Sequence, residues 1–573
     1  MWRRSPNLVT ARVSIAGCVI CRRRAAWCGR KGATLGLDVA VVQQEAHMLV
    51  IVVSPPNSNT VLDGAECTVT KPEEHTDWSD FPNLGVLTLA SCVAGIRGVR
   101  PVYLDGTVVN WAEIAEFVDA HASETLAICI SALTATYEAG LHLVARAKRA
   151  NPRIVSIFGN DHITALPVET MTRQSDLIDV AFVGNEVIGG FAKFVHDLSS
   201  VNVGDLAQYP GMIYRSGGSV CMNNQVTEGV FTDIDYELID ADFNHTALYQ
   251  DNFARRVVPT FQNLTGRTVR AGIPVEIARG CIKFARNDAC SFCSIQYGGM
   301  WRNSVETPDL AWDAIAHAEV HGFDYLYLTA DELPLTFGRL LGEMRDNPPD
   351  WWRSRAEEER PVMVGYARSD GLSNERNAET LRYLNIRQLM VGLDAGTSVS
   401  LRAMRKPLAP GSDRFSEYRA EAMFEHNIAA LSAAKNNDLV LKVGFVIGHL
   451  GMTPSLLREN LDSMKSLLDS GAGAIASLDV EVLSPEPGSM DYRQLIDPDV
   501  ADAAAANLDL MLPDRRRRVE IAKKWAGRDI LDREAAMSDY VEAVMPQLSM
   551  ADLVAARREV RAYAHQIGVT TGG

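Results

Sequence analysis

The chain has 573 residues, 47% of them hydrophobic, and a formal net charge of -16 with pI near 5.3. That length exceeds one ordinary core and predicts two or three domains, while the acidic balance leaves no overall basic field for a polyanion and excludes nucleic acid as the main partner. Ten cysteines without short regular spacing do not form the disulfide framework of a small secreted domain and fit a reducing cytosol, and no apolar run reaches the roughly 20 residues that span a bilayer.

Residues 1–47 carry eight Arg or Lys, with no acid before Asp38. A transit peptide and a metal site at Cys18, Cys21 and Cys28 are two readings of such a leader, each lacking a partner motif. The reading adopted is a disordered or misassigned extension. The folded part then starts at Met48, where MLVIVVSPPNSN reads as a buried strand and a Pro/Asn turn.

From Met48 to about Ser200, short apolar runs alternate with helical stretches. LVIVV, VRPVYLD, TLAICIS, PRIVSIFG and IDVAFVG read as strands, with helices starting near Leu84, Trp111, Tyr137, Val168 and Val187. This alternation predicts an α/β domain with a doubly wound parallel sheet, whose ligands sit at the carboxyl ends of its strands. Those ends carry Ser54–Asn57, Asp105 and Gly106, Ser131–Thr134, Gly159–His162 and Gly184–Glu186. Glycines admit close backbone approach and the small polar residues give a flat floor, so the candidate cofactor-crevice residues are Asp105, Gly106, Ser131, Thr134, Gly159, Asn160, His162 and Gly184. Cys129, inside the apolar TLAICIS run, is expected in the core.

Residues 201–272 are irregular, with YPGMIYRSGGSV suggesting a hairpin, and are read as a bridge. A second alternating series occupies 273–496. IPVEIARG, FDYLYLTADE, PVMVGYARSD, IRQLMVGLDAG, LVLKVGFVIGHLG and AIASLDVEVLSPEPG give six βα units, hence a partial barrel with its chemistry where strands end. Residues 497–573 are Ala-rich and predict a helical cap, with Arg515–Arg518 on a solvated helix face.

Cys281, Cys290 and Cys293 follow the first strand of this second series. A closed structural zinc site needs four ligands, and no fourth Cys or His follows at finger or ribbon spacing. Three thiolates can instead bind a cubic 4Fe-4S cluster and leave one iron open to a small molecule.

At this point the chain resembles the radical S-adenosylmethionine (SAM) enzymes, specifically the subgroup with an amino-terminal cobalamin-binding domain (class B methyltransferase-like). The resemblance covers about Met48 to Leu495. It implies a Rossmann-like cobalamin-binding sheet, a partial (β/α)6 radical SAM barrel, and three cofactors: a 4Fe-4S cluster, SAM and cobalamin. The family motif places three and then two residues between its cysteines, with an aromatic before the last. Phe292 supplies that aromatic and the second gap is kept, but the first gap is eight residues, Ile282–Ala289, expected to bulge outward as a polar loop. Gly298–Asn303 resembles the segment that follows the cluster loop.

The resemblance further implies Asp331 and Glu332 as acceptors for the SAM ammonium, and Arg368 for its carboxylate or ribose. Asp394 stands where the family has Glu, and Ile447 with Gly448 would hold adenine; Gly451 and Ser484–Ser489 continue the motif series. Phe81–Ala90 and Gly159–Pro167 resemble family segments in the sheet domain. The mutase-type Asp-x-His-x-x-Gly loop is absent, since Asp105 is followed by GlyThrValValAsnTrp, so no histidine of that loop ligates cobalt.

The implied activity is methylation of an unactivated carbon in a small-molecule or peptide substrate, with an electron donor such as flavodoxin or ferredoxin. Cyclisation, ring contraction or oxidation without methyl transfer is a second reading, and a non-catalytic iron-sulfur or electron-transfer protein a third. A tRNA methylthiotransferase is disfavoured, because Cys67, Cys92 and Cys129 do not lie where its second cluster needs ligands. Catalytic residues and the substrate itself are not legible.

Overall fold

The computed structural model of the chain describes residues 48–57, 61–63, 66–68, 79–184, 186–225, 231–286, 288–295, 301–408 and 416–571. The Arg-rich leader lies outside them, as do residues 298–300 of the segment after the cysteines.

Five apolar runs form parallel strands: β1 (Met48–Ser54), β2 (Val99–Asp105), β3 (Thr125–Ser131), β4 (Val155–Gly159) and β5 (Val180–Phe182). Helices Leu84–Val93, Trp111–His121, Tyr137–Ala150, Pro167–Arg173 and Ile188–Ser199 connect and cover them. The helices begin where sequence chemistry sets them: Asn83 accepts from Val86 N–H, and Asn110 with Glu113 forms a capping box. The central strand β1 is buried from Leu49 to Ser54. β2, at the sheet edge, carries Pro101, a residue that a central strand would not accommodate.

The sheet order is β2-β1-β3-β4-β5, the doubly wound arrangement whose crevice opens beside β1 and β3. It continues beyond residue 200. The hairpin of the expected bridge, β6 (Met212–Ser216) and β7 (Ser219–Met222), pairs antiparallel with β5 and extends this sheet to seven strands.

The second series forms β8 (Gly272–Val275), β9 (Tyr325–Leu328), β10 (Val362–Arg368), β11 (Ile386–Asp394), β12 (Val440–Ile447) and β13 (Ile475–Val482), all parallel and in sequential order. That is the expected six-unit partial barrel. The carboxyl-terminal region is mostly helical, as expected, but it also contributes β14 (Thr570–Thr571), which pairs in parallel with β13 as a seventh strand. Its arginine run is held by acids of the same region, Arg515 by Asp499 and Asp502 and Arg517 by Glu542, while Arg518 is buried against Asp502. No helix among the described residues is long and apolar enough to cross a membrane.

Candidate active site

Immediately after β8, Ala278–Gly280 pairs antiparallel with Arg302–Ser304, a short ribbon that closes the base of the cysteine loop. Gly280 is obligatory there, because its φ is 126° and an added Cβ would lie 2.2 Å from the Trp301 carbonyl oxygen. The loop is fixed on its other side as well. Ser291 N–H donates to the Met404 carbonyl at 2.9 Å, and the Ser291 hydroxyl donates to Asp491 at 3.1 Å, whose other oxygen receives the Tyr540 hydroxyl.

All three thiols are free, with Cys290 buried and Cys281 and Cys293 half-buried. Burial pushes the Cys281 thiol up to about 11, with Cys290 adding to the rise, and it pushes Cys293 up further, again with Cys290 and then Cys281 contributing. Among the described residues no group of three His, Cys, Asp or Glu side chains could hold one metal ion. Three thiolates on one zinc would crowd to about 3.8 Å apart at a Zn–S length of about 2.3 Å. A cuboidal cluster takes each thiolate on a different corner, and three thiolates are a donor set that fits it.

Within the eight-residue spacer Lys283 and Asp288 are turned inward and Ala285 is exposed, while Asn287 lies outside the described residues. Ile282–Arg286 forms a 3-10 turn, and both Lys283 and Asp288 are 1% exposed. The two charged residues are held inward because they satisfy each other and the neighbouring 405–407 segment.

A cavity of about 370 Å³ opens between the two sheets. Its sheet-domain wall comes from the carboxyl ends of β3, β4 and β5, including Ser131, Gly159, Asn160, Asp161 and Gly184, over an apolar floor containing Phe158, Phe182 and Phe191. Its barrel wall holds Glu276, Arg279, Tyr327, Thr329 and Asp331, with Ile295 two residues beyond Cys293. Asn160 adopts φ 79° without being glycine, held by an amide donation to Ser131 Oγ at 3.0 Å and by acceptance from Asp161 N–H. Burial lifts the Asp161 carboxyl to about 6, with Asp331 across the cavity adding to the rise. Arg279 bridges the walls, donating to Glu186 at 2.9 Å and to Glu276.

Four of the eight expected crevice residues therefore lie at the cavity: Ser131, Gly159, Asn160 and Gly184. The other four do not line it. The Asp105 carboxylate receives Thr107 N–H and hydroxyl groups from Thr107, Tyr103 and Tyr249, so it organises a buried network beneath the loop. Gly106 is pressed on the Pro55–Pro56 backbone, where an added Cβ would lie 2.3 Å from Pro56 N. His162, stacked on Tyr137, bonds Thr134 through Nδ1 and the Asp529 carbonyl through Nε2 at 2.7 Å. Thr134 and His162 thus tie the sheet domain to the carboxyl-terminal region, and burial pulls His162 down to about 4. Cys129 is buried, as expected of core, but it also lines the cavity.

Among the barrel residues, Asp331 faces the cavity and accepts from Gly280 N–H at 3.0 Å. Glu332 is turned inward. Its oxygens accept from Leu335 N–H, Thr336 N–H and the Thr336 hydroxyl, and burial raises its carboxyl. Arg368 is buried in a bidentate pair with Asp370, near enough to Cys290 and Cys281 to feel both thiols. Asp394 sits at φ 60° after a register shift in β11 and is ion-paired with buried Lys406. Ile447 is fully buried, and the space over Gly448 is filled by Leu553 and Met545 of the carboxyl-terminal helices. Asp161 lies inside the strand-end stretch 159–162, and Glu276 and Arg279 inside IPVEIARG, but nothing in the sequence singles them out from ordinary strand-end polar residues.

Residues 77–187 match the B12 binding domain family. Across both sheets the chain has the fold of cobalamin-dependent radical SAM enzymes. It is similar to the radical SAM methyltransferase TsrM from Kitasatospora setae, solved with cobalamin and a 4Fe-4S cluster, at 13% identity and TM-score 0.55, covering 78% of this chain and 75% of that one. It is also similar to the cobalamin-dependent SAM radical enzyme OxsB, solved with aqua-cobalamin, at 13% identity and TM-score 0.55, covering 82% of this chain and 63% of that one. No curated protein matches by sequence.

Proposed function

We propose that this chain is a cobalamin-dependent radical SAM enzyme that methylates an unactivated carbon of a small-molecule or peptide substrate, reduced by a donor such as flavodoxin or ferredoxin. The observation that carries the reading is the shared cavity: strand ends of the B12-binding segment form one wall, and barrel residues beside the cysteine triplet form the other.

Cys281, Cys290 and Cys293 would hold the cluster through a donor set made entirely of sulfur. The apolar floor of Phe158, Phe182 and Phe191, with Gly159 and Gly184 above it, would seat cobalamin. Asp331 is the carboxylate placed to accept the SAM ammonium, because Glu332 is already saturated by backbone donors. When bound, these cofactors supply reductive SAM cleavage to a carbon-centred oxidant and a transferable methyl group. The chain supplies containment: apolar walls exclude water, the Arg279 bridge fixes the two walls against each other, and buried partners set the orientation of each polar group.

The test is anaerobic reconstitution followed by metal and cobalamin analysis, then SAM labelled in its methyl group. About four irons and one cobalamin per chain, with label in a product formed alongside S-adenosylhomocysteine, are expected. Label that never enters any product overturns methyl transfer, and a chain that takes up no iron overturns the enzyme class.

A further inference from the structure

Three consecutive residues, Arg279, Gly280 and Cys281, each belong to a different part of the site. Cys281 is the first thiol of the triplet. Gly280 N–H donates at 3.0 Å to Asp331, the carboxylate assigned above to the SAM ammonium. Arg279 reaches out of the barrel and donates through Nη1 to Glu186 of the sheet domain at 2.9 Å. The three are held in fixed relation, because Ala278–Gly280 pairs with Arg302–Ser304 and Cys281 N–H continues the pairing to the Trp301 carbonyl at 3.2 Å.

Glu186 grips both strands of this ribbon. Arg279 and Asn303 are directly opposite in its register, so their side chains share a face. Arg279 donates to one Glu186 oxygen, and Asn303 Nδ2 donates to the other at 3.3 Å. The Glu186 side chain is 7% exposed, so sliding the ribbon along the sheet domain would strand a buried carboxylate. On the sheet side, Glu186 follows Gly184, whose N–H donates to the Thr164 hydroxyl at 3.2 Å, and that hydroxyl donates to the Asn160 carbonyl at 3.0 Å. Asn160 and Gly184 both line the cavity. The sheet-domain wall and the ribbon are therefore joined at Glu186.

We infer that Glu186 is a positioning residue that couples the cofactor sites of the two domains: with the sheet-domain wall ordered by cobalamin, it holds the ribbon where Gly280 fixes Asp331 for SAM. The inference rests on the cofactor reading made above. A ligand that orders one wall removes part of the ordering cost of the other, and coupling between two binding sites is reciprocal. Cobalamin should then tighten SAM binding, and SAM should tighten cobalamin binding by the same factor. An ion pair that only adds stability gives neither ligand an effect on the other.

The experiment measures SAM dissociation constants by equilibrium dialysis, with and without aquacobalamin, on anaerobically reconstituted full-length wild type, Glu186→Ala and Glu186→Gln, keeping the cluster oxidised so that SAM is not cleaved. Cobalamin is expected to tighten SAM binding about fivefold or more in wild type and to have no effect in Glu186→Ala at wild-type iron content. Part of the effect should return in Glu186→Gln, whose amide oxygen can still accept from Arg279. Equal SAM affinity with and without cobalamin in wild type, an undiminished effect in Glu186→Ala, or loss of iron from a folded Glu186→Ala overturns the inference and leaves the cofactor reading standing. If circular dichroism shows Glu186→Ala unfolded, Asn303→Ala, which removes one donor and keeps the Arg279–Glu276 pair, is judged by the same outcomes. A wild-type chain that takes up no iron or no cobalamin overturns the inference together with the reading beneath it.

Discussion

Asp331 and Glu332 are adjacent acids with opposite situations, one facing the cavity and the other turned inward. Glu332 is buried with three donors converging on its carboxylate. Glu332→Ala strands those donors and should destabilise the fold by about 1–3 kcal/mol, read as a lower thermal midpoint. Asp331 faces the cavity, so Asp331→Asn should leave that midpoint unchanged while weakening SAM binding about tenfold by equilibrium dialysis, a loss of about 1.4 kcal/mol. The sequence presents the pair as interchangeable, because a strand-end acid's direction depends on which residues follow. Here the Leu335–Thr336 turn captures the second carboxylate. Arg368 and Asp394 were legible as strand-end charges for the same reason, and their engagement by Asp370 and Lys406 was hidden in segments of no distinctive pattern.

At the scale of elements, periodicity made the architecture readable: the five parallel strands of the first sheet, β1 to β5, and the six strands β8 to β13 of the second series lie where apolar runs were found. Crevice membership was less readable. Whether a strand end opens into a cavity depends on what crosses it, and Pro55–Pro56 crosses Gly106 so closely that an added Cβ there would lie 2.3 Å from Pro56 N. Gly106→Ala should overpack this crossing and cost about 1–3 kcal/mol, measured by chemical denaturation, with no compensating side-chain movement available because the obstruction is backbone. The spacer between the cysteines misled for a related reason. Its polar composition suggests exposure, but Lys283 and Asp288 neutralise each other, and only their partners at 405–407 reveal that these two side chains are buried.

The whole molecule is held together at the carboxyl-terminal region, which touches the sheet domain through Asp529 and the cysteine loop through Tyr540 and Asp491. His162 makes the first junction sensitive to acid. Its imidazole, kept neutral by burial, has a folded value of about 4 against an ordinary value near 6.5. The unfolded chain therefore takes up a proton first as pH falls, so this contribution is intact above about pH 6.5 and is lost between there and pH 4, to a limit of about 3 kcal/mol. Stability curves measured across that window should be steeper for wild type than for His162→Gln, and equal steepness would refute the assignment. The same region also matters for the order in which the chain is made. β13 finds its outer partner only in β14, which is synthesised long afterwards, so a nascent barrel displays an unpaired strand edge until the helices between have emerged. Newly made chains are thus most open to edge-to-edge association in that interval, and slow translation through residues 497–569 would lengthen it.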